Sequence, residues 1–204
     1  ASRSSDGITV TGSAKTSATA DNAVWTLSVS LSSPAVGTAV KKVDADVATL
    51  SKYLTNGGIP AEALTLGAVS TYANEEYVDG NSTGRILSYR ANRDVTVRTK
   101  DVSLVSKLSQ GIGSLLETGI NVNNYGPQYY ISNLPELRPA LMSDAMKDAK
   151  VRALALTKAV GSDLGALVNV KAGPIQITTP DSTMTADYGA YDTSTIEKTV
   201  TATV

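Results

Sequence analysis

Apolar residues recur every three or four positions in three long stretches of the chain, the spacing that forms one face of an α-helix. The first stretch follows Ser33-Pro34, where serine suits the N-cap and proline the first helical position, and it stops at Gly57-Gly58. The second begins at Asp101 and ends at Gly119. The apolar faces of these two predicted helices are Val36, Val40, Val43, Val47, Leu50 and Leu54, and then Leu104, Val105, Leu108, Ile112, Leu115 and Leu116.

The third stretch organises the rest of the chain, because its middle has alanine at every fourth position. A face of small side chains lets the backbone of another element approach closely, so we interpret this stretch as a packing helix. Pro139 lacks an N–H group, and residues 134–138 are therefore expected to form a separate turn or a kinked first turn. The face consists of Leu137, Leu141, Ala145, Ala149, Ala153, Leu156 and Val160.

Alternation of apolar and polar residues predicts the strands. Residues 74–84 are rich in turn formers and are expected to form a hairpin tip. Arg93 interrupts the apolar side of the strand that follows, which indicates a bulge, a buried pair or a strand end. The predicted strands cover residues 8–14, 24–31, 64–72, 86–99, 120–131 with an interruption at 125–127, 166–171 continued by 175–177, and 196–204.

The resulting element order is ββαββαβαββ, with about seven strands and three helices. Strand–helix pairs mixed with a long hairpin predict an α+β fold, with helices layered on mixed or antiparallel sheet. The 204 residues fit one large domain or two small ones, and we predict a single domain over residues 1–204. Residues 1–6 are expected to be a flexible terminus, and residues 178–194, which are small and polar, a loop or flexible hairpin.

Composition narrows the chemistry further. Histidine and cysteine are absent, which excludes thiol nucleophiles, disulfides, imidazole bases and the usual ligands of zinc, haem and iron–sulfur clusters. A net charge of −1 provides no field that would recruit nucleic acid, and no apolar run is long enough for a membrane span. We therefore predict no cofactor and no nucleic-acid partner. The lack of cysteine suits an exported protein, and the small, polar start at residues 1–5 is typical of a trimmed mature end.

Four segments, colinear over nearly the whole chain, resemble the SIMPL-domain family, which includes bacterial periplasmic immunogenic proteins and oxidative-stress defence proteins. The closing strand Val200-Thr201-Ala202-Thr203-Val204 also fits that family, whereas Ala20 stands where the family often has proline. The four segments are Ile8-Thr9-Val10-Thr11-Gly12 with Asp21 before the Trp25 strand, Gly57-Gly58-Ile59-Pro60-Ala61-Glu62, Tyr89-Arg90-Ala91-Asn92 leading to Val95-Thr96-Val97-Arg98, and the Ala145/Ala149/Ala153 helix ending at Val160-Gly161 and Leu164-Gly165-Ala166-Leu167-Val168.

The resemblance implies an exported bacterial protein, periplasmic or secreted, with a stress-related role. Most members have no assigned enzymatic activity, and some relatives form ring-like or channel-like homo-oligomers. The family offers no agreed catalytic residues that could be transferred to this chain.

Two charged clusters are candidate ligand sites. Carboxylates at the hairpin tip offer hard oxygen ligands for calcium, although solvated turns are commonly acidic as well. Guanidinium groups on the following strand suit phosphates or acidic glycans, although neighbouring carboxylates can equally pair with them. The candidate metal ligands are Glu75, Glu76 and Asp79, and the candidate anion ligands are Arg90, Arg93 and Arg98.

Tyrosines are further candidates for subunit contacts, and carboxylates on the third predicted helix are candidates for acid–base chemistry. Tyr125, Tyr129 and Tyr130 form the main aromatic concentration and are candidate subunit contacts, with at least one of the adjacent pair expected in the core. Asp144 and Asp148 are spaced for paired acid and base chemistry, but ion pairs on a solvated helix face explain the same spacing. We therefore expect no enzyme activity and predict that the protein self-assembles or binds partners. One alternative is a module that binds a small ligand or an acidic glycan through the arginine-rich strand at residues 85–100. The other is a carboxylate-based hydrolase.

Overall fold

The computed structural model describes residues 7–183 and 185–204 and has the predicted α+β architecture. Its strands form two antiparallel sheets, one of three strands and one of five. The predicted flexible terminus at residues 1–6 lies outside the described residues. In chain order the elements are β1 (Ser13–Thr19), β2 (Asn22–Ser33), α1 (Val36–Asn56), β3 (Leu64–Leu66), β4 (Ser70–Val78), β5 (Asn81–Thr99), α2 (Val102–Gln110), α3 (Gly113–Leu116), β6 (Val122–Tyr130), α4 (Leu134–Ala159), β7 (Gln176–Thr178) and β8 (Glu197–Thr203).

The described chain divides into two compact units. Residues 21–129 form the first, which we call the central unit. Residues 7–20 and 130–204 form the second, which we call the terminal unit because it contains both ends of the chain. The single domain over residues 1–204 stays a prediction, because compactness of the backbone does not establish whether the two units unfold together.

The central unit is built on the five-stranded sheet. The strand order is β3-β5-β2-β6, and β4 also pairs with β5. Alternation along β2 buries Trp25, Leu27 and Val29, and α1 packs on β2 and β5. The Trp25 indole donates to the side-chain oxygen of Asn124 at 2.8 Å, so the largest buried side chain has no unsatisfied donor. The predicted strand at 24–31 is thus confirmed.

Helix α1 confirms the first predicted helix but not its N-terminal cap. Ser33 remains in β2, paired with Tyr89, and Ala35 occupies the N-cap position without a side-chain hydrogen bond. Val36 is exposed, and Ala39 is buried one position before Val40. The helix therefore begins after the predicted serine–proline start, because strand pairing holds Ser33 in the sheet.

The hairpin prediction was wrong in its extent. The strands β4 and β5 continue to Val78 and Asn81, so the turn consists of Asp79 and Gly80 alone. Both turn residues have positive φ, 51° and 78°, as a type I′ hairpin turn requires. Turn-forming residues at 74–84 are therefore mostly strand residues of a long ribbon. The predicted strand at 64–72 is likewise divided into β3 and the start of β4.

The second predicted helix is divided into α2 and the short α3, separated near Gly111. Its cap is confirmed, because the Asp101 carboxylate accepts the Leu104 N–H at 3.1 Å. Strand β6 is continuous where an interruption was expected, with Gly126 at a φ of 83° inside it. A glycine at positive φ turns the backbone without ending the strand.

The terminal unit pairs β1, β8 and β7 in that order, with α4 packed on β1 and β8. Its core joins Leu141 and Ala145 of α4 to Ile177, Val200 and Ala202 of the sheet. The predicted last strand is confirmed by β8. Of the loop predicted at 178–194, Thr178 belongs to β7, and residues 179–183 and 185–194 are irregular apart from a single bridge. The predicted first strand at 8–14 was wrong, since β1 begins at Ser13.

The strand predicted at 166–171 is not formed. Residues 163–172 have no regular structure, and only Gln176–Thr178 of the predicted continuation pairs with β8. Alternation of side chains is therefore present there without a neighbouring strand edge. A strand needs such an edge because its hydrogen bonds are made to other strands.

Helix α4 is continuous from Leu134 to Ala159, so the expected separate turn at 134–138 was wrong. Pro139 costs a single hydrogen bond near the start of a long helix, where the remaining bonds maintain it. Twenty-six residues span about 39 Å, whereas the seven-residue strands below span about 24 Å. The helix is therefore longer than its sheet, which explains why Leu156 and Val160, predicted on the packing face, are exposed.

The alanine face of α4 does permit a close backbone approach, as predicted. Gly12, just before β1, lies against Ala145 and Ala149. A Cβ added to Gly12 would lie 2.5 Å from the Ala149 backbone nitrogen and 2.6 Å from its Cβ. Gly12 also exchanges two backbone hydrogen bonds of 2.9 Å with Val204. The contact therefore joins α4, the start of β1 and the end of the chain.

Candidate protein interaction surfaces

The hairpin formed by β4 and β5 extends beyond the rest of its sheet. β2 pairs with β5 only as far as Tyr89, whereas β4 continues to pair with β5 down to the turn. We call residues 74–88 the hairpin arm. Large apolar side chains are exposed on this two-stranded ribbon, namely Tyr77, Val78, Ile86 and Leu87. Tyr77 is 64% exposed, an unusual state for an aromatic side chain in a strand.

A second exposed apolar surface lies in the terminal unit. The C-terminal half of α4 exposes Val151, Leu154, Leu156 and Val160. The following irregular residues, which we call the 163–172 segment, add Leu164, Leu167, Val168 and Val170. Val168 is 93% exposed. Because scattered apolar residues are ordinary on a surface but contiguous ones mark contact sites, this surface is a candidate for binding another protein.

The three candidate arginines have different surroundings. Arg90 donates to Ser30 at 2.8 Å and to Ser32 at 3.4 Å. Arg93 donates to the Gly67 carbonyl at 2.8 Å and pairs with Asp44 of α1 at 3.0 Å. Arg98 is exposed.

Arg93 is therefore paired, as one of the three predictions for it had it, but the pair is not buried, since the side chains of Arg93 and Asp44 are 27% and 50% exposed. The register between β2 and β5 passes through Val29 and Arg93 without a bulge. Ligand binding by the arginines stays a prediction, with two of the three side chains already bonded inside the central unit.

The acidic residues of the hairpin arm are separated by local contacts. Glu76 pairs with Arg85 at 3.4 Å, and Glu75 accepts the Ser82 hydroxyl at 3.2 Å. Asp79 occupies the tight turn. In the part of the chain that the structure describes, no three acidic side chains converge as metal ligands would. Calcium binding by Glu75, Glu76 and Asp79 stays a prediction.

The three candidate tyrosines lie in different environments. Tyr129 is buried, which confirms that one of the adjacent pair belongs to the core, whereas Tyr125 is exposed. Tyr130 lies 5.8 Å from Tyr191, ring centre to ring centre, in a tilted arrangement. The Tyr191 hydroxyl accepts the Ile131 N–H at 3.0 Å. Tyr125 is thus the member of the three that is free to contact a partner, and that role stays a prediction.

Asp148, one of the two candidate acid–base residues on α4, has a structural role. Asp148 accepts the Ser13 N–H at 2.8 Å and the Arg152 Nε–H at 3.0 Å, which connects the start of β1 to the helix. These bonds, the Ser13 one foremost, lower the pKa of Asp148 below its ordinary value. A carboxylate held ionised in this way is a weak proton acceptor, so the geometry favours anchoring over catalysis.

Asp148→Asn is expected to lower the thermal unfolding midpoint at pH 7. A lowered pKa contributes stability above the unfolded-state value of about 3.9, and this contribution is lost as the pH falls through the folded-state pKa. The difference between wild type and variant should therefore shrink on acidification, as followed by circular dichroism. Asp144→Asn, an exposed position on the same helix, is the control. Equal midpoints for wild type and Asp148→Asn at pH 7 would show that the Asp148 bonds add nothing.

Lys198 is a buried cation that the sequence analysis did not single out. It is 1% exposed on β8, and its Nζ donates to the Asp192 carbonyl at 2.5 Å. Burial lowers the pKa of Lys198, and the charge of Asp192 opposes that shift. Asp192 itself accepts the Ser194 N–H and hydroxyl, which lower its pKa. Alternation along the strand could have predicted that Lys198 is buried, because Lys198 lies in phase with the buried Val200 and Ala202.

A cavity of about 390 Å³ lies on the face of the three-stranded sheet opposite to the one that packs on α4. The buried Gln176 amide hydrogen-bonds the backbone of Ala186 and Ala190, which holds residues 186–190 against that sheet. Lys15 and Asp187 provide charges on the lining, and the remaining lining is mostly threonine and serine. The volume is at the lower end for small-molecule sites. The cavity has hydroxyls for hydrogen bonding but no convergent catalytic pair.

The described helices include none that is both long and apolar enough to cross a lipid bilayer.

Comparison with known proteins connects this architecture to one family. No curated protein matches the chain. One solved structure, described as "a putative amidohydrolase/peptidase from Burkholderia cenocepacia", is similar at 15% identity and a TM-score of 0.27, covering 79% of this chain and 37% of the other. The chain thus spans little more than a third of that protein, and so low a score supports no argument. The SIMPL family model, described as "Protein of unknown function (DUF541)", matches residues 8–204, so the chain belongs to the SIMPL family.

Proposed function

We propose that this SIMPL protein is an exported, non-enzymatic protein of the bacterial cell envelope, periplasmic or secreted, that acts by binding protein chains, including copies of itself. The hairpin arm is the observation that carries the proposal. Export is supported by the absence of cysteine and by the family resemblance, and a stress-related role by the resemblance alone. The geometry of the hairpin arm supports the binding role.

An isolated two-stranded ribbon is marginally stable in water because it has little apolar surface to bury. The hairpin arm nevertheless exposes Tyr77, Val78, Ile86 and Leu87. Tyrosine is enriched at protein interfaces, since its ring buries area while its hydroxyl stays hydrogen-bonded. Burial of these side chains by a partner would remove their contact with water and stabilise the ribbon at the same time.

The outer edge of β4 is free as well. Among the described residues β4 pairs with β5 alone, and β3 occupies a different part of the same side of β5. A free edge presents unpaired N–H and C=O groups that another strand can use. The arm therefore combines apolar side chains and backbone groups suited to a protein partner, features that neither a small ligand nor a hydrolysed bond requires.

Substitution of the hairpin arm tests the proposal by oligomeric state. Wild type is expected to associate at micromolar concentration in analytical ultracentrifugation. Tyr77→Asp or Leu87→Asp should weaken association at least tenfold, about 1.4 kcal/mol, because a charge would be buried at the contact. Val36→Asp, at an exposed apolar position outside the arm, is the control and should associate normally.

Circular dichroism should show that all three variants remain folded, since each replaced side chain is exposed. A wild-type protein that stays monomeric up to about 100 μM, well above the micromolar constants of weak specific complexes, would remove self-association from the proposal. Association that the arm variants do not change would remove the arm.

A further inference from the structure

The 163–172 segment has the properties of a strand without a partner. A strand is predicted from the sequence at residues 166–171, yet the backbone of the segment forms no hydrogen bonds with the described residues. The last backbone bond before it joins Ser162 to Thr157, and the next joins Gly173 to Thr203. Leu167 and Val168 are among the most exposed apolar side chains of the chain. Such a segment gains both hydrogen bonds and burial if it is added to a sheet edge.

The edge of β4 is the complementary surface. It extends over nine residues, Ser70–Val78, and residues 164–171 form a stretch of eight with no regular structure of their own. The two surfaces also differ in charge. Residues 70–78 contain two glutamates and no basic residue, whereas residues 164–171 contain one lysine and no carboxylate. Opposite charge on two surfaces of matched length favours their contact and orients the approach.

We propose that residues 164–171 of one copy add as a strand to the outer edge of β4 in a second copy. This inference rests on the proposed self-association and names the contact that produces it. The two surfaces belong to different units of the chain, so the contact is heterologous, and each copy offers both halves of it. Heterologous contacts continue from copy to copy, and they produce closed rings or open filaments rather than a simple dimer.

Proline substitution tests the backbone pairing. Successive residues of a strand direct their N–H groups to opposite edges, so either Val168 or Asn169 must donate to β4. One of the two variants Val168→Pro and Asn169→Pro, namely the one that removes the donating N–H group, should therefore weaken association at least tenfold. The matched controls Val168→Ala and Asn169→Ala should have a smaller effect. Both positions are exposed and irregular, so the melting curve of the monomer should be preserved.

Cross-linking tests the partner, and the lack of native cysteine makes it specific. A Val168→Cys chain mixed with a mass-tagged Tyr72→Cys chain should form the mixed product with a short bis-maleimide. Val168→Cys mixed with Lys41→Cys, which is exposed on α1, should not. In the double variant Val168→Cys/Tyr72→Cys, cross-linking between chains should increase with concentration.

The outcomes separate this inference from the proposed function. A monomeric wild type contradicts this inference and removes self-association from the proposed function, which then rests on binding other protein chains. Association that is sensitive to Tyr77→Asp but to neither proline variant leaves the arm as an interface and overturns the pairing with the 163–172 segment. A cross-link that forms within one chain, independent of concentration, overturns the assignment of the occupant to a second copy.

Discussion

Gly12→Ala is expected to destabilise the terminal unit by about 3 kcal/mol, the upper end of ordinary overpacking, because its new Cβ would meet helix backbone. The nearest atoms are the Ala145 carbonyl oxygen and the Ala149 nitrogen. Backbone cannot rotate away as a side chain can, so either β1 must separate from α4 or the helix must shift. Urea unfolding followed by circular dichroism should show the loss in the free energy of unfolding.

Gly7→Ala is the control, since nothing lies within 4 Å of a Cβ added there. It should change stability by less than about 1 kcal/mol. Hydrogen exchange should locate the effect, with faster exchange in peptides of the terminal unit. The single tryptophan, Trp25, belongs to the central unit and provides a separate fluorescence signal. A Gly12→Ala protein as stable as Gly7→Ala would show that β1 and α4 are not in close contact.

Lys198 should produce the second large effect. Lys198→Ala removes four side-chain atoms from a buried position, and Lys198→Met retains most of their volume without the charge. Lys198→Met is therefore expected to be more stable than Lys198→Ala by about 3 kcal/mol, the usual cost of a cavity left by a large side chain. Urea unfolding at pH 7 measures this difference. Equal stability of the two variants would mean that the side chain is not buried.

The pH dependence tests the charge separately from the volume. Because the pKa of Lys198 is lowered, the unfolded chain binds more protons than the folded one between the folded-state pKa and the ordinary value of about 10.4. Wild-type stability should therefore increase relative to Lys198→Met as the pH rises through that interval. Tyr53, whose pKa is raised by burial, opposes this trend equally in both proteins and cancels in the comparison. Parallel profiles would contradict a buried ammonium group.

Periodicity alone predicted the α+β class and the three helical regions, of which the second is divided into α2 and α3, since a buried face imposes its own spacing on the sequence. It was less informative at the hairpin arm. Glycine, asparagine and aspartate mark turns, but an exposed ribbon tolerates the same residues, so the sequence did not distinguish an eleven-residue tip from a two-residue turn. The apolar residues of the arm, by contrast, are visible in the sequence, but the sequence does not show that they are exposed.

Arg93 and Lys198 show a second limit of prediction from the sequence. Each is a cation in an apolar phase of a strand, and local pattern does not identify the group that compensates it. For Arg93 that group is Asp44, 49 residues away on α1. For Lys198 it is a loop carbonyl at Asp192. The partner in each case lies on another element, which only the folded chain brings within bonding distance.

The amino-acid sequence by itself determined the elements that satisfy their own requirements: helix periods, the Asp101 cap, and the alanine face that admits a neighbouring backbone at Gly12. The tertiary structure alone decided which alternating segments become strands. Residues 197–203 and 166–171 both lie in predicted strands, but the first lies between β1 and β7 whereas the second has no strand of the described chain beside it. A helix closes its hydrogen bonds within one segment, and a strand depends on an edge supplied from elsewhere in the chain or from another chain.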